Sequence, residues 1–247
     1  MVYERPWKSF DRQLEILKSR NLEISDDEAA RRYLQRIGYY RLSAYLYPFR
    51  VFTLQQEPTT GKLVSIKEDR FVDKTHFVDA VNLYCFDKKL RLHMLDALER
   101  IEVALRVDIA YLLGERDTFA YKNIENFHPT FAKRRDQHKR WLEKYDRLLK
   151  RSKEDFVKHY TKEHGPDLPI WVAVETWDFG AMSQLFAMMK VPDQIEIASR
   201  YGVSEFKVFS SWLRSLNYLR NLCAHHSRLW NRNIIDQPKL PERGTVG

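Results

Sequence analysis

The chain has 247 residues, of which 44% are hydrophobic and 31% are charged. This length and composition allow one large domain or a domain with an appendage. Eight glycines and nine prolines exclude a collagen-like repeat and a disordered low-complexity chain. The formal net charge of +8 favours a polyanionic partner, of which nucleic acid is the first candidate.

The two cysteines, Cys85 and Cys223, are too few for a disulfide framework and suggest a reducing compartment. Both stand among apolar residues at helical spacing, which predicts that both lie in the core. The first residues lack the apolar stretch of a signal peptide, and no apolar run approaches the ~18 residues of a membrane span. We therefore expect a cytoplasmic protein without a membrane segment.

Residues 1–50 predict a small N-terminal helical unit. Helical periodicity covers residues 8–20, and the sequence SDDE that begins at Ser25 predicts a second helix with Ser25 as its N-cap. Gly38 breaks that helix, and a third helix follows. Residues 51–74 contain β-forming runs on either side of a turn sequence, PTTG, and predict a short hairpin or an irregular connector.

Residues 75–236 predict a larger helical domain, followed by a loose tail at residues 237–247. The first helix of this domain is long, and Glu102 interrupts its apolar stripe. A carboxylate on an apolar stripe must be paired or functional, because burying it alone is expensive. Two partners are open: Arg106, one turn later, and Arg220, which interrupts an apolar stripe on a late helix.

Residues 130–153 predict a very basic helix with an aromatic inner face. Its outer face is either a solvated charged surface or a track for an RNA backbone, since Lys and Arg on phosphates supply most non-specific affinity. The candidate RNA contacts on this helix are Lys139, Arg140 and Arg147.

Motifs of nucleotide hydrolases, dehydrogenases and esterases are absent from the sequence. His159 and His164 could join His225 at a metal ion, but no cysteine or carboxylate spacing supports a zinc site. We therefore expect neither a metal nor a cofactor.

The stretch LRNLCAHHSRLWNR, residues 219–232, concentrates the residues with chemical potential. Histidine side chains in general have a pKa near ~6.5 and can give or take a proton at neutral pH. His225 is the candidate for this role. Arg220 can hold a phosphate and stabilise the negative charge that grows on it. Asn221 can orient either group. These residue types suit cleavage of RNA without a metal.

Helical spacing places Asn221 and His225 on one face, because they are four residues apart. Further residues of that face are candidate RNA contacts: Arg214, Arg228 and Arg232. On a straight helix, Arg220 would lie roughly 140° from His225. Either the helix bends or ends near His225, or a second copy of the chain completes the site. We prefer the second copy and predict a homodimer.

The pattern RNxxxH followed by HxRxWNR resembles the Abi-like abortive-infection family of bacteria. That family is similar to the HEPN ribonucleases, which carry R-x(4–6)-H on a late helix. Three other stretches share the resemblance and extend it over most of the chain: YERPW at residues 3–7, IGYYRLSAY at residues 37–45, and LPIW with FGAMS between residues 168 and 183.

This resemblance implies a mainly α, HEPN-like helical bundle. It also implies a metal-independent endoribonuclease toxin of phage defence that acts through Arg220, Asn221 and His225, with Glu102 fixing the arginine. A toxic activity implies a restraint, such as an antitoxin protein, a small RNA or an inactive resting conformation. Some HEPN toxins are silenced by nucleotide addition to a tyrosine two residues after the histidine; Ser227 stands there instead.

The alternative is a non-catalytic, basic RNA-binding module of a defence or toxin–antitoxin system. In that interpretation, the basic helix and the arginines near the C-terminus hold structured RNA. The arginine, asparagine and histidine of RNxxxH would then form a structural hydrogen-bond network.

Overall fold

The computed structural model describes residues 6–130 and 135–242, with only the backbone of Arg135. Helices dominate these ranges, and one two-stranded sheet accompanies them, so the predicted mainly α fold is confirmed. Residues 3–5 of the YERPW stretch, the start of the predicted basic helix at residues 131–134, and residues 243–247 of the predicted tail lie outside the described residues. Within the described ranges, no helix is both long and apolar enough to cross a membrane.

The chain divides into two compact units, Met1–Leu90 and Arg91–Gly247. The division falls inside a single 40-residue helix, α4, which spans Phe77–Arg116. The finer domain limits drawn from the sequence stay predictions.

Three helices open the first unit: α1 (Phe10–Ser19), α2 (Asp27–Ile37) and α3 (Tyr39–Leu46). The N-cap of α2 is Asp26, whose carboxylate accepts a hydrogen bond from the Ala29 N–H at 2.9 Å. The prediction of Ser25 as N-cap was wrong by one residue, because aspartate caps as well as serine does and the helix starts one position later. Gly38 ends α2 with φ 88°, a left-handed conformation that glycine adopts without steric cost.

Strands β1 (Arg50–Gln56) and β2 (Leu63–Phe71) pair antiparallel and form the hairpin expected for this region. Most of their side chains are exposed or half-buried, but Phe71 is fully buried in the core of the first unit. That core is built mainly from α1 to α3, and includes Leu14, Leu17, Leu34, Leu42 and Tyr45.

Cysteine burial differs from the expectation. Cys223 is buried, whereas Cys85 is exposed, so the prediction that both lie in the core was wrong for Cys85. Its neighbour Phe86 is also exposed, whereas Asp87 is fully buried, so the face of α4 that carries Cys85 and Phe86 lies at the surface.

The second unit contains the rest of α4 and six further helices of the described chain: α5 (Arg135–Arg151), α6 (Asp155–His164), α7 (Ile170–Ala173), α8 (Phe179–Met188), α9 (Val191–Arg200) and α10 (Phe206–Ala224). Seven of the ten residues of α8 are buried. This helix packs against both α5 and α10, and the three together form the scaffold of the candidate site.

Aromatic rings fill the core beside α8. Tyr121, Trp141, Tyr145 and Trp177 contact one another mostly edge to face. The Tyr121 hydroxyl donates to the Leu168 carbonyl at 2.7 Å, and burial raises the pKa of Tyr121. This packed, neutral layer holds α5 rigidly in place.

Candidate active site

The helix that carries the RNxxxH motif ends at Ala224, so His225 directly follows α10. The His225 N–H donates to the Asn221 carbonyl at 3.0 Å and completes the last α-helical hydrogen bond. The His225 side chain is exposed to solvent. Of the geometries expected from the sequence, a helix that ends near His225 is therefore present, and the second copy of the chain stays a prediction.

Two further backbone hydrogen bonds close the helix end in a Schellman motif. The His226 N–H donates to the Cys223 carbonyl at 3.1 Å, and the Ser227 N–H donates to the Leu222 carbonyl at 2.9 Å. His226 has φ 55°, a left-handed conformation that usually belongs to glycine and costs other residues roughly 1–2 kcal/mol. This turn redirects the chain immediately after the predicted catalytic histidine.

A buried arginine anchors the chain beyond the turn. The Arg91 guanidinium donates to the Ser227 carbonyl at 3.3 Å, and Arg91 is only 4% exposed. Sequence reasoning missed this residue, although a signal was present. Arg91 stands four residues before Leu95 and therefore extends the same α4 stripe that Glu102 interrupts.

Glu102 is buried and pairs with two arginines. Its Oε1 lies 2.8 Å from Arg106 Nη2, and its Oε2 lies 3.7 Å from Arg220 Nε. Both partners considered from the sequence are therefore present at once. This double pairing explains how a carboxylate persists on an apolar stripe. The Arg220 side chain keeps 34% of its surface exposed, so Glu102 holds a guanidinium that solvent still reaches.

A groove of about 300 Å³ lies over this ion-pair network. Its polar lining residues are Arg220, Arg106, Glu102 and the exposed Glu99, and its apolar lining residues are Leu95, Leu98 and Val103. An anion that entered the groove would meet the accessible part of the Arg220 guanidinium.

Asn221 lines a different cavity, which is polar, measures about 280 Å³ and lies between α5, α8 and α10. Arg214 and Asn217 line the same cavity, as their spacing on the helix predicts. Arg220 and Asn221 are nonetheless neighbours, with Nη1 of the arginine 3.5 Å from Oδ1 of the asparagine. The ends of the Arg220 and Asn221 side chains are thus in contact, although Arg220 lines the groove on α4 and Asn221 lines the polar cavity.

Arg228 and Arg232 do not continue the helical face of His225. The expectation that they would was wrong, because α10 ends at Ala224 and the chain turns at His226. Arg232 is exposed and donates to the Tyr218 hydroxyl at 3.5 Å, whereas Arg228 is partly buried. Their predicted role as RNA contacts is separate from this geometry and stays a prediction.

The basic face of α5 is exposed at Lys139, Arg140 and Arg147. Arg140 and Arg147 line a groove of about 420 Å³ together with Lys144, whereas Lys139 is not among its lining residues. Lys144 belongs to the predicted basic helix but was not among the candidate RNA contacts named from the sequence. Its Nζ lies 2.8 Å from a carboxylate oxygen of Asp178, the residue that caps α8.

Groups of three or more histidine, cysteine, aspartate and glutamate side chains placed to hold a metal do not occur in residues 6–130 and 135–242. His138 is buried, and its Nε2–H donates to the Tyr121 carbonyl at 2.8 Å. Desolvation lowers the pKa of His138, which keeps this imidazole neutral and in a structural role.

Comparison with known proteins adds the family. No curated protein and no solved structure matched the chain. A family model described as Abi-like protein matches residues 32–231, a range that includes Glu102, Arg220, Asn221 and His225. The chain therefore belongs to the Abi-like protein family, which associates it with abortive infection, a form of phage defence.

Proposed function

We propose that this protein is a metal-independent endoribonuclease of an abortive-infection system that cleaves RNA with Arg220, Asn221 and His225. One observation carries the proposal. The same helix carries a solvent-accessible arginine, paired with the buried carboxylate of Glu102, and at its C-terminal end an exposed imidazole. A fixed cation and an accessible acid–base group are the two requirements of phosphodiester cleavage without a metal.

The reaction we propose uses the 2′-hydroxyl of RNA as the nucleophile. O2′ attacks the adjacent phosphorus and loses its proton, while the bond from phosphorus to O5′ breaks and O5′ gains a proton. His225 performs one of these two proton transfers as general base or general acid. The products are a 2′,3′-cyclic phosphate and a 5′-hydroxyl end. DNA, which lacks the nucleophile, is spared.

Arg220 stabilises the pentacoordinate phosphate, whose negative charge exceeds that of the substrate. Asn221 orients the phosphate or the arginine across their 3.5 Å contact. Glu102 is a positioning residue, because it is buried and acts through Arg220. Pairing with Glu102 restricts the rotamers of the guanidinium, so less conformational entropy is lost when the phosphate binds.

A homodimer completes the site in this proposal. The angular offset of ~140° separates Arg220 and His225 within one chain, and the His225 N–H still occupies its helical position. Val103 lines the Arg220 groove, and Val107 and Tyr111 follow it along α4 at four-residue steps. All three of these large side chains are exposed. We infer that a second copy covers this stripe and brings its His225 to Arg220.

The non-catalytic alternative has one observation in its favour. Arg220 pairs with Glu102 and contacts Asn221, which is the structural network that an RNA-binding module would need. The two functions separate cleanly, since only the nuclease produces new RNA ends.

The test is cleavage of RNA by purified protein in the presence of EDTA. We expect His225→Ala to reduce the rate by roughly 10²–10⁴-fold and Arg220→Ala by roughly 10²–10³-fold. His159→Ala, a change of an exposed histidine on α6, is the matched control and should cleave like the wild type. Cleavage that survives His225→Ala undiminished, or RNA binding without any cleavage by the wild type, would overturn the proposal.

A mixing experiment tests the shared site. Arg220→Ala and His225→Ala are each inactive alone. If each site takes its arginine from one chain and its histidine from the other, mixed dimers regain one intact site. Equal mixing then restores about a quarter of wild-type activity in a two-fold symmetric dimer. Absence of any recovery after subunit exchange would show that both residues act within one chain.

A further inference from the structure

Three cavities meet around α8. The polar cavity at Asn221 shares Lys144 and Gln184 with the groove along α5. It shares Arg214 with a third cavity, of about 600 Å³, to which α8, α9 and α10 contribute lining residues. The three cavities are therefore neighbours, and the α5 groove and the third cavity also share Ala187. We call the group the trough, and we call the Asn221 cavity, which shares a cationic residue with each of the other two, the middle cavity.

Charge differs sharply along this trough. The α5 groove is lined by Arg140, Lys144 and Arg147 without a carboxylate among its described lining residues. The third cavity is likewise lined by Lys207, Arg214 and Lys239. No aspartate or glutamate from the part of the chain that the structure describes lines it. In the middle cavity, by contrast, Lys144 and Arg214 are balanced by Asp178 and Asp236. Cationic segments therefore flank a segment that is close to neutral.

The middle cavity is rich in amides. Gln184, Asn217 and Asn221 line it together with the hydroxyl of Ser183. Each amide supplies both hydrogen-bond donors and acceptors, so the wall can match the mixed donor and acceptor edge of a neutral ligand. Phosphate, which only accepts hydrogen bonds at neutral pH, fits the flanking segments better.

Gly180 keeps the middle cavity open. A Cβ built on it would lie 3.2 Å from Lys144 Nζ and 3.3 Å from both Asn217 Oδ1 and Asp178 Oδ1. Polar atoms from α5, α10 and the N-cap of α8 thus converge where this residue has no side chain. Any other residue at position 180 would push into that convergence point.

The geometry points to a nucleobase-recognition subsite: the middle cavity binds one unpaired base of single-stranded RNA, and the flanking cationic segments bind the phosphates on either side of it. This inference rests on the proposed function for its substrate class. The volume of about 280 Å³ lies at the small end of ligand pockets and suits a single base rather than a base pair. Proteins read unpaired RNA bases through hydrogen bonds to their edges.

The subsite lies close to the proposed chemistry. Asn221 lines the cavity and contacts Arg220, the residue proposed to bind the phosphate that is cleaved. A base held against Asn221 therefore belongs to a nucleotide at or next to the cleaved bond. The enzyme is then selective for that base, instead of cleaving RNA at every exposed phosphodiester.

Binding tests this inference independently of cleavage. The binding affinity of the His225→Ala variant is measured by fluorescence anisotropy at fixed salt. The ligands are short single-stranded RNAs of one sequence that differ from one another at a single position. We expect one base to bind roughly tenfold or more tightly than the poorest one. Asn217→Ala and Gly180→Ala should each remove this preference, the first by deleting an amide and the second by placing a methyl group against Lys144, Asn217 and Asp178.

Controls separate base recognition from general affinity. Gln35→Ala, at an exposed amide in the first unit, should keep the preference. Arg147→Ala should weaken binding of all bases alike and lower the salt slope by about one. Circular dichroism tests whether each variant folds. If Asn217→Ala does not fold, Gly180→Ala still tests the subsite, because that variant keeps every polar side chain of the cavity.

The outcomes are distinct. Equal binding of all four bases, or a preference that survives both Asn217→Ala and Gly180→Ala, overturns the subsite. A base preference in the His225→Ala background with no cleavage by the wild type upholds the subsite and removes the nuclease function.

Discussion

The two sides of α10 carry different kinds of polar chemistry. On one side, the buried Glu102 pairs with Arg220 in a groove that charged and apolar side chains line together. On the other side, Asn217 and Asn221 border a cavity of amides and balanced charges. An ionised group persists on an apolar face only when it is paired, so the position of Arg220 is fixed. Half-buried amides can exchange water for a ligand at little cost, so the second side is suited to recognition.

Removal of the buried carboxylate should have the largest effect on stability. Glu102→Ala removes the carboxylate that Arg106 and Arg220 share, and it leaves Arg106 with the more distant Glu175, whose Oε2 lies 3.7 Å from Nη1 of the arginine. We expect the free energy of unfolding to fall by about 2–3 kcal/mol, less than a fully buried pair would lose, because both guanidiniums are partly exposed. Urea unfolding measures this loss.

Glu99→Ala is the matched control for that change. Glu99 lines the same groove but is exposed, and its removal should alter stability by no more than about 0.5 kcal/mol. If Glu99→Ala and Glu102→Ala lowered the free energy of unfolding equally, the ion pair of Glu102 with Arg220 would not contribute to stability.

Substitutions at His226, in the turn that ends α10, should have an intermediate effect on stability. Because His226 has a positive φ, His226→Gly should be more stable than His226→Ala by about 1 kcal/mol. Both variants lack the imidazole, so the difference reports the backbone alone. Thermal unfolding of the pair measures it.

The order should reverse within a regular helix. At Asp146, an exposed position inside α5, alanine should exceed glycine by about 1 kcal/mol. If alanine were also the better residue at position 226, the left-handed turn that ends α10 would be disproved.

The smallest effect concerns pH and the helix that supports the polar side. Burial lowers the pKa of His138 on α5, whereas an unfolded histidine titrates near ~6.5. The neutral imidazole therefore contributes stability fully above that pH. The contribution is lost as the pH falls toward the folded pKa, since the unfolded chain then binds the proton more readily.

We therefore expect His138→Gln to show a shallower decline in unfolding free energy between pH 7 and pH 5 than the wild type. The same measurement on His159→Gln, which changes an exposed histidine, should keep the wild-type slope. Identical slopes for all three proteins would mean that His138 is not the buried titrating group.

Local pattern predicted much of the chain. Periodicity and turn residues identified the first three helices, the β1–β2 hairpin and the long helix α4, since each depends on neighbours within a few positions. The same reasoning singled out Glu102 and Arg220 as misplaced charges on apolar stripes, and the two are paired. It missed the start of α2 by one residue, because adjacent Ser25 and Asp26 are both good N-caps.

The polar side of α10 was much less predictable. Lys144, Asp178 and Gly180 come from separate elements, and their meeting depends on how α8 packs against α5 and α10. In the sequence, Lys144 is one of many basic residues, and Asp178 and Gly180 stand at the start of an apolar helix. No local period relates positions that lie so far apart along the chain.

The sequence by itself determined the mainly α fold, the family and the chemical character of the RNxxxH stretch, because these depend on residue types and short spacings. Only the tertiary structure decided that α10 ends before His225, that Arg220 and Asn221 border different cavities, and that the Asn221 cavity belongs to a longer trough. The physical reason is that these features depend on side chains from distant segments that the packing of one buried helix brings within a few ångströms of one another.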